Sequence, residues 1–162
     1  MRILSVGSLS GMSNTCLHRN WALHKVADEV DEINTQLNPI TLWGRICYHL
    51  FFLGLPIRIP ENNKENEKIC KMVKNKDYDI VWIDKGHTIL PSTLKYIKKI
   101  SPNTIIVSYS PDNMALRHNQ TQQYLETIPL YDYFFTNKSY ILDNMRKLGA
   151  KNIFFVNNKR KS

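Results

Sequence analysis

DIVWIDKG (79–86) opens with an apolar run and stops abruptly at a charged, glycine-containing turn. Other stretches have the same form, namely RILSVG (2–7), TIIVSY (104–109), YDYFFT (131–136) and NIFFVN (152–157). Apolar runs of this length that end in small or polar residues are typical of parallel strands buried on both faces. The carboxyl ends of such strands lie along one edge of the sheet, where ligands of open α/β proteins bind. The pattern therefore predicts a Rossmann-like ligand-binding domain whose site is assembled from several loops.

The segments between these runs predict the rest of an α/β domain. A weak strand is predicted near 30–35, and helices at about 14–27, 40–53, 61–76, 91–100, 119–128 and 139–148. Alternating strands and helices require right-handed crossovers, so we expect a parallel sheet of about six strands with helices on both faces. A single domain, 1–158, accounts for the pattern and is followed by a basic tail at 159–162.

Cysteine content and the N-terminus bear on the cellular compartment. The chain has 3 cysteines and no C-x-x-C pair, which argues against a disulfide framework and a structural zinc site. It runs directly into a strand, without the basic, apolar and small-residue segments of a signal peptide. The sequence therefore predicts reduced thiols and a cytoplasmic protein.

The net charge of +8 arises entirely in the second half of the chain. Residues 1–84 carry ten basic and ten acidic side chains, whereas residues 85–162 carry twelve basic and four acidic ones. Such an asymmetry suits an anionic partner: a phosphorylated ligand, an acidic membrane surface or nucleic acid. The alternative is a lysine-rich face that is simply solvated.

The most hydrophobic segment is ITLWGRICYHLFFLGLPI (40–57), which is too short to span a bilayer. One face of the predicted helix consists of Trp43, Ile46, Cys47, Leu50 and Phe51. Such a face predicts core packing. Phe52 and Leu53 widen it, however, so peripheral membrane contact is the alternative.

The helix predicted at 14–27 has two apolar sides. The side expected to face the sheet, with Arg19 at its middle, consists of Cys16, Ala22, Leu23 and Val26. Leu17 and Trp21 project to the opposite side. An exposed Trp–Leu pair would indicate a contact surface, because interface anchors are enriched in aromatic residues. The alternative is that the helix at 40–53 covers both side chains.

Candidate site residues follow the ends of the strands. Gly7 and Ser8 begin a small-residue turn that leads into the helix predicted at 14–27, with Ser13 or Asn14 as its cap. Such a turn lets backbone amides approach an anion. This turn lacks both the Gly-Lys-Ser/Thr of a P-loop and the complete G-x-G-x-x-G spacing. Asp84 and Lys85 follow the strand at 79–84. They either belong to the site or pair with each other while Asp84 caps backbone groups.

Asp112 is the best candidate for a catalytic base. It lies in Ser110-Pro111-Asp112-Asn113, directly after the strand at 104–109, where a carboxylate can accept a proton from a substrate hydroxyl. Pro-Asp-Asn is also an ordinary turn sequence. His87 and His118 have no metal-ligand partner at a recognisable spacing, so we expect no metal site.

Several stretches resemble spore-maturation-type glycosyltransferases, which are two-domain enzymes of the GT-B fold. They are DIVWIDKG (79–86), SYSPDN (108–113), RHNQT (117–121), and IPLYDYFFTNKSY (128–140) running to LGAKNIFFVNN (148–158). The opening RILSVG, together with Arg19, Ala22, Leu23 and Val30, matches as well. The resemblance covers most of the chain, with little contribution from residues 35–76.

This resemblance implies a sheet order of 2-1-3-4-5-6 and an N-terminal GT-B domain that holds a sugar or glycan acceptor. Asp112 would act on the acceptor side, and the loop at Gly7–Ser13 would line the cleft. The other implied binding residues are Ser8, Asp84, Lys85, Asn113, Arg117, His118 and Lys138. In such enzymes a C-terminal domain holds the nucleotide-sugar donor, so we expect no cofactor in this chain alone.

The sequence departs from the family pattern after Val156. The family continues into a second Rossmann domain, whereas this sequence reads Asn157 to Ser162 and ends. We therefore expect the chain by itself to transfer sugar poorly. A donor-binding domain would be supplied in trans, or the chain would form a homo-oligomer through the Trp21 face.

Two other protein classes share part of the pattern. Asp84, Ser108 and Lys138 mimic a phosphoacceptor receiver domain, but receivers also need an acidic pair after the first strand, where this chain has Gly7 and Ser8. A non-catalytic Rossmann-like module that binds an anionic ligand or nucleic acid is the alternative function, and it would explain the basic half. No recognition motif or aromatic-basic platform is evident, so a nucleic acid partner is not expected.

Overall fold

The computed structural model of the chain describes residues 1–10, 15–35 and 39–157. Three predictions lie outside these residues. They are the helix cap at Ser13 or Asn14, the end of the Gly7–Ser13 loop, and the basic tail at 159–162.

Strands and helices alternate along the described residues as the sequence predicts. The strands are β1 (Arg2–Gly7), β2 (Glu29–Asn34), β3 (Ile80–Asp84), β4 (Ile105–Ser110), β5 (Tyr133–Thr136) and β6 (Ile153–Phe155). The helices are α1 (Thr15–Val26), α2 (Leu42–Phe52), α3 (Glu65–Asn75), α4 (Pro91–Ile100), α5 (Gln122–Thr127) and α6 (Leu142–Lys147). The helix predicted at 119–128 begins late because the Thr121 hydroxyl caps it, accepting from the Tyr124 amide at 3.1 Å.

The strands form one parallel sheet in the order β2-β1-β3-β4-β5-β6, which confirms the predicted fold class and strand order. The chain reverses direction across the sheet between β1 and β3. The connection after β1 places β2 on one side of β1. The connection after β2 returns to the other side of β1, where β3 to β6 follow in order. Crevices at such switch points are where open α/β sheets bind ligands.

The hydrophobic core lies on one face of the sheet. Alternate strand residues, including Val6, Ile83, Ile106 and Phe134, are buried there. They pack against the apolar sides of α3 to α6, which contribute Ile69, Val73, Leu94, Ile97, Tyr124 and Met145. Right-handed crossovers after β2, β3, β4 and β5 carry these helices to the same face.

The opposite face is only partly covered, because α1 is the helix that packs there, over β1 and β2. The part over β3 to β6 is lined by aromatic side chains. Trp82 stacks with Tyr109 and Phe135 at ring-centroid distances of 5.9 and 6.3 Å, and Phe135 stacks with Phe154 at 5.6 Å. Phe154 is 47% exposed. Tyr109 is only 4% exposed, because the Arg19 guanidinium lies over its ring at 4.3 Å. We refer to Trp82, Phe135 and Phe154 as the uncovered sheet face.

Helix α1 differs from its predicted packing. Its buried residues are Cys16 and Asn20, whereas Ala22 and Val26 are exposed. Ala22 and Leu23 border a groove of about 520 Å³ over the uncovered sheet face. They do point toward the sheet side, but the described residues contain no second helix there to bury them.

Trp21, on the other flank of α1, is 52% exposed and contacts the His18 ring at 5.2 Å. The predicted exposure of Trp21 is therefore confirmed, and α2 does not cover it. Among the described residues, no helix is long and apolar enough to cross a membrane.

Candidate functional site

A cleft of about 110 Å³ lies at the carboxyl edge of the sheet, between the ends of β1 and β3. It is therefore at the topological switch point. Its polar lining consists of Ser8, Thr35, Asp84, Lys85, His87 and Thr88. Cys16 and Gly86 also line it.

Gly7 allows α1 and β3 to approach each other at the base of this cleft. A Cβ atom at residue 7 would lie 2.5 Å from the Cys16 sulfur and 2.9 Å from the Asp84 Cβ. Both distances are too short for real side chains. Gly7 is therefore required for the close packing of α1 against the end of β3, and its presence does not depend on a bound ligand.

Asp84 is held by Arg19 and not by Lys85, so the alternative of an Asp84–Lys85 pair is wrong. Arg19 Nε and Nη2 donate to the two carboxylate oxygens at 2.7 and 2.6 Å. The Asp84 side chain is 3% exposed. Burial disfavours the charge on Arg19, but the hydrogen bonds and charge of Asp84 outweigh it, and the pKa of Arg19 is raised. The pair fixes α1 to the end of β3.

Lys85 instead pairs with Asp112 across the ends of β3 and β4. The Lys85 Nζ to Asp112 Oδ2 distance is 2.7 Å, and the two side chains are 34% and 39% exposed. Lys85 and Gly86 have φ angles of +66° and +69°, so the chain turns sharply after β3. At residue 86 a Cβ would lie 2.8 Å from the Tyr131 hydroxyl, which explains the glycine. The turn directs the ammonium toward Asp112.

His87 is the site residue that the sequence analysis did not assign to binding. It lines the cleft, and its ring contacts Phe51 at 6.0 Å and Tyr124 at 5.8 Å. Burial, with a further contribution from the Lys85 charge, lowers the pKa of His87 to about 4. The imidazole is therefore neutral at pH 7, and its buried Nδ1 has no hydrogen-bond partner among the described residues. The sequence feature that indicates His87 as a site residue is its position in the turn after β3, directly after Gly86.

The remaining predicted binding residues do not line this cleft. Asn113 Oδ1 accepts from the Ala115 amide at 3.2 Å and serves its own turn. Arg117 Nη1 donates to the Gln120 carbonyl at 2.5 Å, and its Nη2 is buried without a partner among the described residues. His118 is exposed, and Lys138 is half-buried after β5. Of the predicted site residues, Ser8, Asp84 and Lys85 line the cleft, and Asp112 stands beside it through its ion pair with Lys85. Asn113, Arg117, His118 and Lys138 are not among the lining residues.

Two further properties of the cleft concern metal-ligand groups and the reactivity of its thiol. The described residues contain no group of three or more His, Cys, Asp or Glu side chains that could hold a metal ion. Burial, and next the Asp84 charge, raises the pKa of Cys16 to about 12. The Cys16 thiol is therefore protonated at physiological pH and is a poor nucleophile.

No known protein family and no curated protein matches the sequence. Solved structures match in fold. An alpha-glucosyltransferase (AGT) in complex with UDP has a TM-score of 0.52 and 20% identity, over 100% of this chain. An alpha-glucosyltransferase in complex with UDP-glucose and DNA containing an abasic site has a TM-score of 0.52 and 19% identity, over 96% of this chain. This chain has a GT-B glycosyltransferase-like fold. It spans 42% of the length of each of those two chains.

The position of the cleft in the GT-B-like fold indicates what its side chains can do. Within such a fold, the carboxyl edge of the sheet is the ligand edge, and this chain brings a cation, a carboxylate and a neutral imidazole to it. These groups can hydrogen-bond a polyhydroxyl ligand and receive a proton from it.

Proposed function

We propose that this chain is the acceptor-binding half of a nucleotide-sugar-dependent glycosyltransferase. The observation that carries the proposal is the Lys85–Asp112 pair, which stands beside a cleft at the switch point of a GT-B-like fold. The narrower resemblance to spore-maturation-type enzymes remains a prediction.

Asp112 is proposed as the acceptor-side base. Lys85 holds Oδ2 at 2.7 Å and so orients the carboxylate, while the 39% exposure of Asp112 leaves it within reach of a ligand. In the transfer, the acceptor hydroxyl oxygen bonds to the anomeric carbon of the donor, and its proton passes to Asp112. The nucleoside diphosphate leaves with the electron pair of the broken bond. His87 would accept or donate one hydrogen bond to the acceptor sugar.

The donor-binding half is proposed to pack against the uncovered sheet face. Parallel sheets are normally covered on both faces, and here β3, β5 and β6 present the partly exposed rings of Trp82, Phe135 and Phe154 instead. The two solved alpha-glucosyltransferases are more than twice as long as this chain, which spans 42% of each. A donor-binding domain explains this surface better than a homo-oligomer through Trp21, since Trp21 is one side chain and the uncovered sheet face spans three strands.

Ligand titrations of the isolated chain test the acceptor role. We expect mono- and oligosaccharides from a panel to shift the amide NMR signals of Ser8, Lys85 and His87, with weaker binding by Asp112→Asn. Asp143→Asn, whose side chain is 86% exposed, is the matched control. UDP-, GDP- and TDP-sugars should not bind with submicromolar affinity in calorimetry. A donor that does so would refute the assignment of donor binding to another half.

A DNA acceptor is the second candidate, because one matching glucosyltransferase was solved with DNA and this chain has a net charge of +8. A short duplex in the same titration distinguishes the two acceptors. Shifts at Lys85 and His87 with DNA and with no saccharide would favour DNA. Shifts with neither would refute the acceptor-binding proposal. In an enzyme completed by its donor-binding half, Asp112→Asn should lower turnover by about 10²–10⁴-fold.

A further inference from the structure

Helix α2 and its flanks expose an unusual number of large apolar side chains. We call this set the α2 patch, and its members are Ile40, Leu42, Trp43, Ile46, Phe52, Leu53 and Leu55. Their exposed fractions range from 44% for Ile46 to 75% for Leu42. Isolated exposed apolar residues are ordinary, whereas a continuous group of this size marks a binding surface.

The exposed apolar side chains of α2 lie on the side of the helix that faces away from the core. Gly44, Cys47 and Phe51 form the buried side of α2. Leu42, Ile46 and Leu53 lie on the opposite side, where a surface helix normally carries polar residues. Because α2 is apolar on both sides, the domain itself can bury only one of them.

Both ends of α2 are fixed, so the patch is presented on a defined element. The Thr41 hydroxyl accepts from the Gly44 amide at 3.0 Å and caps the first turn. At the other end Gly54, with φ +85°, closes the helix as its amide donates to the Phe51 carbonyl at 2.8 Å. Leu53 and Leu55 flank this closing turn.

Helix α2 itself carries basic and no acidic side chains, although Glu61 borders the groove next to Trp43. The sequence contains no Asp or Glu between Glu32 and Glu61. Arg45 and His49 are exposed on α2, and no acidic side chain among the described residues pairs with either. A tryptophan, a phenylalanine and leucines beside unpaired basic groups match the composition of helices that lie in the membrane interface.

We propose that the α2 patch docks the protein on an anionic lipid surface. Most of the patch lies on one side of α2, and only Trp43 among its members borders a described groove, of about 360 Å³. The exposed Arg45 on the same helix complements acidic headgroups. Phe51, on the buried side of the same helix, contacts His87, so docking would place the candidate cleft beside the membrane. Docking on a membrane does not depend on sugar transfer, and it is a property beyond the proposed function.

Vesicle flotation of the purified chain tests the proposal. The probes are vesicles of phosphatidylcholine alone and vesicles with about 30% phosphatidylglycerol. Arg45 near the surface should favour the anionic vesicles by about fivefold. In a Trp21→Phe/Trp82→Phe variant, the emission of Trp43 should shift to the blue and be quenched by brominated lipid.

A pair of matched variants identifies the docking surface. Leu42→Glu/Leu53→Glu changes side chains that are 75% and 66% exposed and should abolish flotation. Val26→Glu/Tyr140→Glu changes side chains that are 69% and 68% exposed, adds the same charge, and should float like the wild type. Far-UV circular dichroism verifies that both variants are folded.

Three results would overturn the proposal. The first is that the wild-type chain does not float with anionic vesicles, and the second is that the two variants float equally. The third is that the wild type binds no vesicles but forms a concentration-dependent dimer, which Leu42→Glu/Leu53→Glu dissociates. The last result would assign the patch to a second copy of the chain. None of these outcomes bears on acceptor binding at Lys85, so failure here is distinguishable from failure of the proposed function.

Discussion

The Arg19–Asp84 pair should be a main determinant of stability at the carboxyl edge. We expect Arg19→Met to lower the free energy of unfolding by about 3–5 kcal/mol, because it leaves a buried carboxylate without its cation. The Asp84 side chain is 3% exposed and cannot recover water, whereas that of Arg19 is 19% exposed. Asp84→Leu should therefore cost less, about 1–3 kcal/mol, since the guanidinium left behind can reach solvent.

The assay is urea unfolding followed by tryptophan fluorescence. The double variant Arg19→Met/Asp84→Leu should be more stable than Arg19→Met alone, because it removes both charges. Arg146→Met is the control for a solvent-exposed pair, with side chains 55% and 86% exposed, and should not move the unfolding midpoint. The reasoning would be refuted if Arg19→Met unfolded like the wild type, or if Asp84→Leu were the more damaging change.

The other predictions concern the same cleft. The pKa of His87 is lowered to about 4, below its unfolded value, so stability should fall as the pH drops from about 6.5 toward 4, by about 1–3 kcal/mol. His87→Gln should flatten this dependence in unfolding curves and His118→Gln should not; equal slopes would contradict the assignment. Gly7→Ala should cost about 1–3 kcal/mol, because its methyl group would lie 2.5 Å from the Cys16 sulfur. Adding Cys16→Ala should recover part of that loss in thermal unfolding, and no recovery would locate the clash at Asp84.

Local patterns in the sequence determine the strands, and with them the edge of the sheet at which a site is predicted. A buried parallel strand needs a continuous apolar run, and DIVWID and TIIVSY satisfy that requirement without reference to any other part of the chain. Since the carboxyl ends of such strands share an edge, the sequence alone predicts that Ser8, Lys85 and Asp112 lie along the same edge of the sheet. The strand order came from the family resemblance, because local pattern does not specify which strands are neighbours.

Only the tertiary structure decides which charges meet. Lys85 is adjacent to Asp84 in sequence, yet it pairs with Asp112, while Asp84 binds Arg19 on α1. Successive residues of a strand point to opposite sides, and the positive φ of Lys85 turns its side chain away from Asp84. The same kind of geometry brings His87 into the cleft and leaves Arg117 bonded to the Gln120 carbonyl.

The sequence also determines that a side chain is apolar, but not that anything covers it. Ala22 and Leu23 form a plausible buried stripe of α1, and Ile46 belongs to a plausible buried face of α2. In the fold, Ala22 and Leu23 border the groove over the uncovered sheet face and Ile46 is 44% exposed. Burial depends on which elements pack alongside a helix, and crossover handedness places α3 to α6 on the other face of the sheet. Periodicity alone therefore identified these surfaces as apolar, and only the assembled fold showed that they are open.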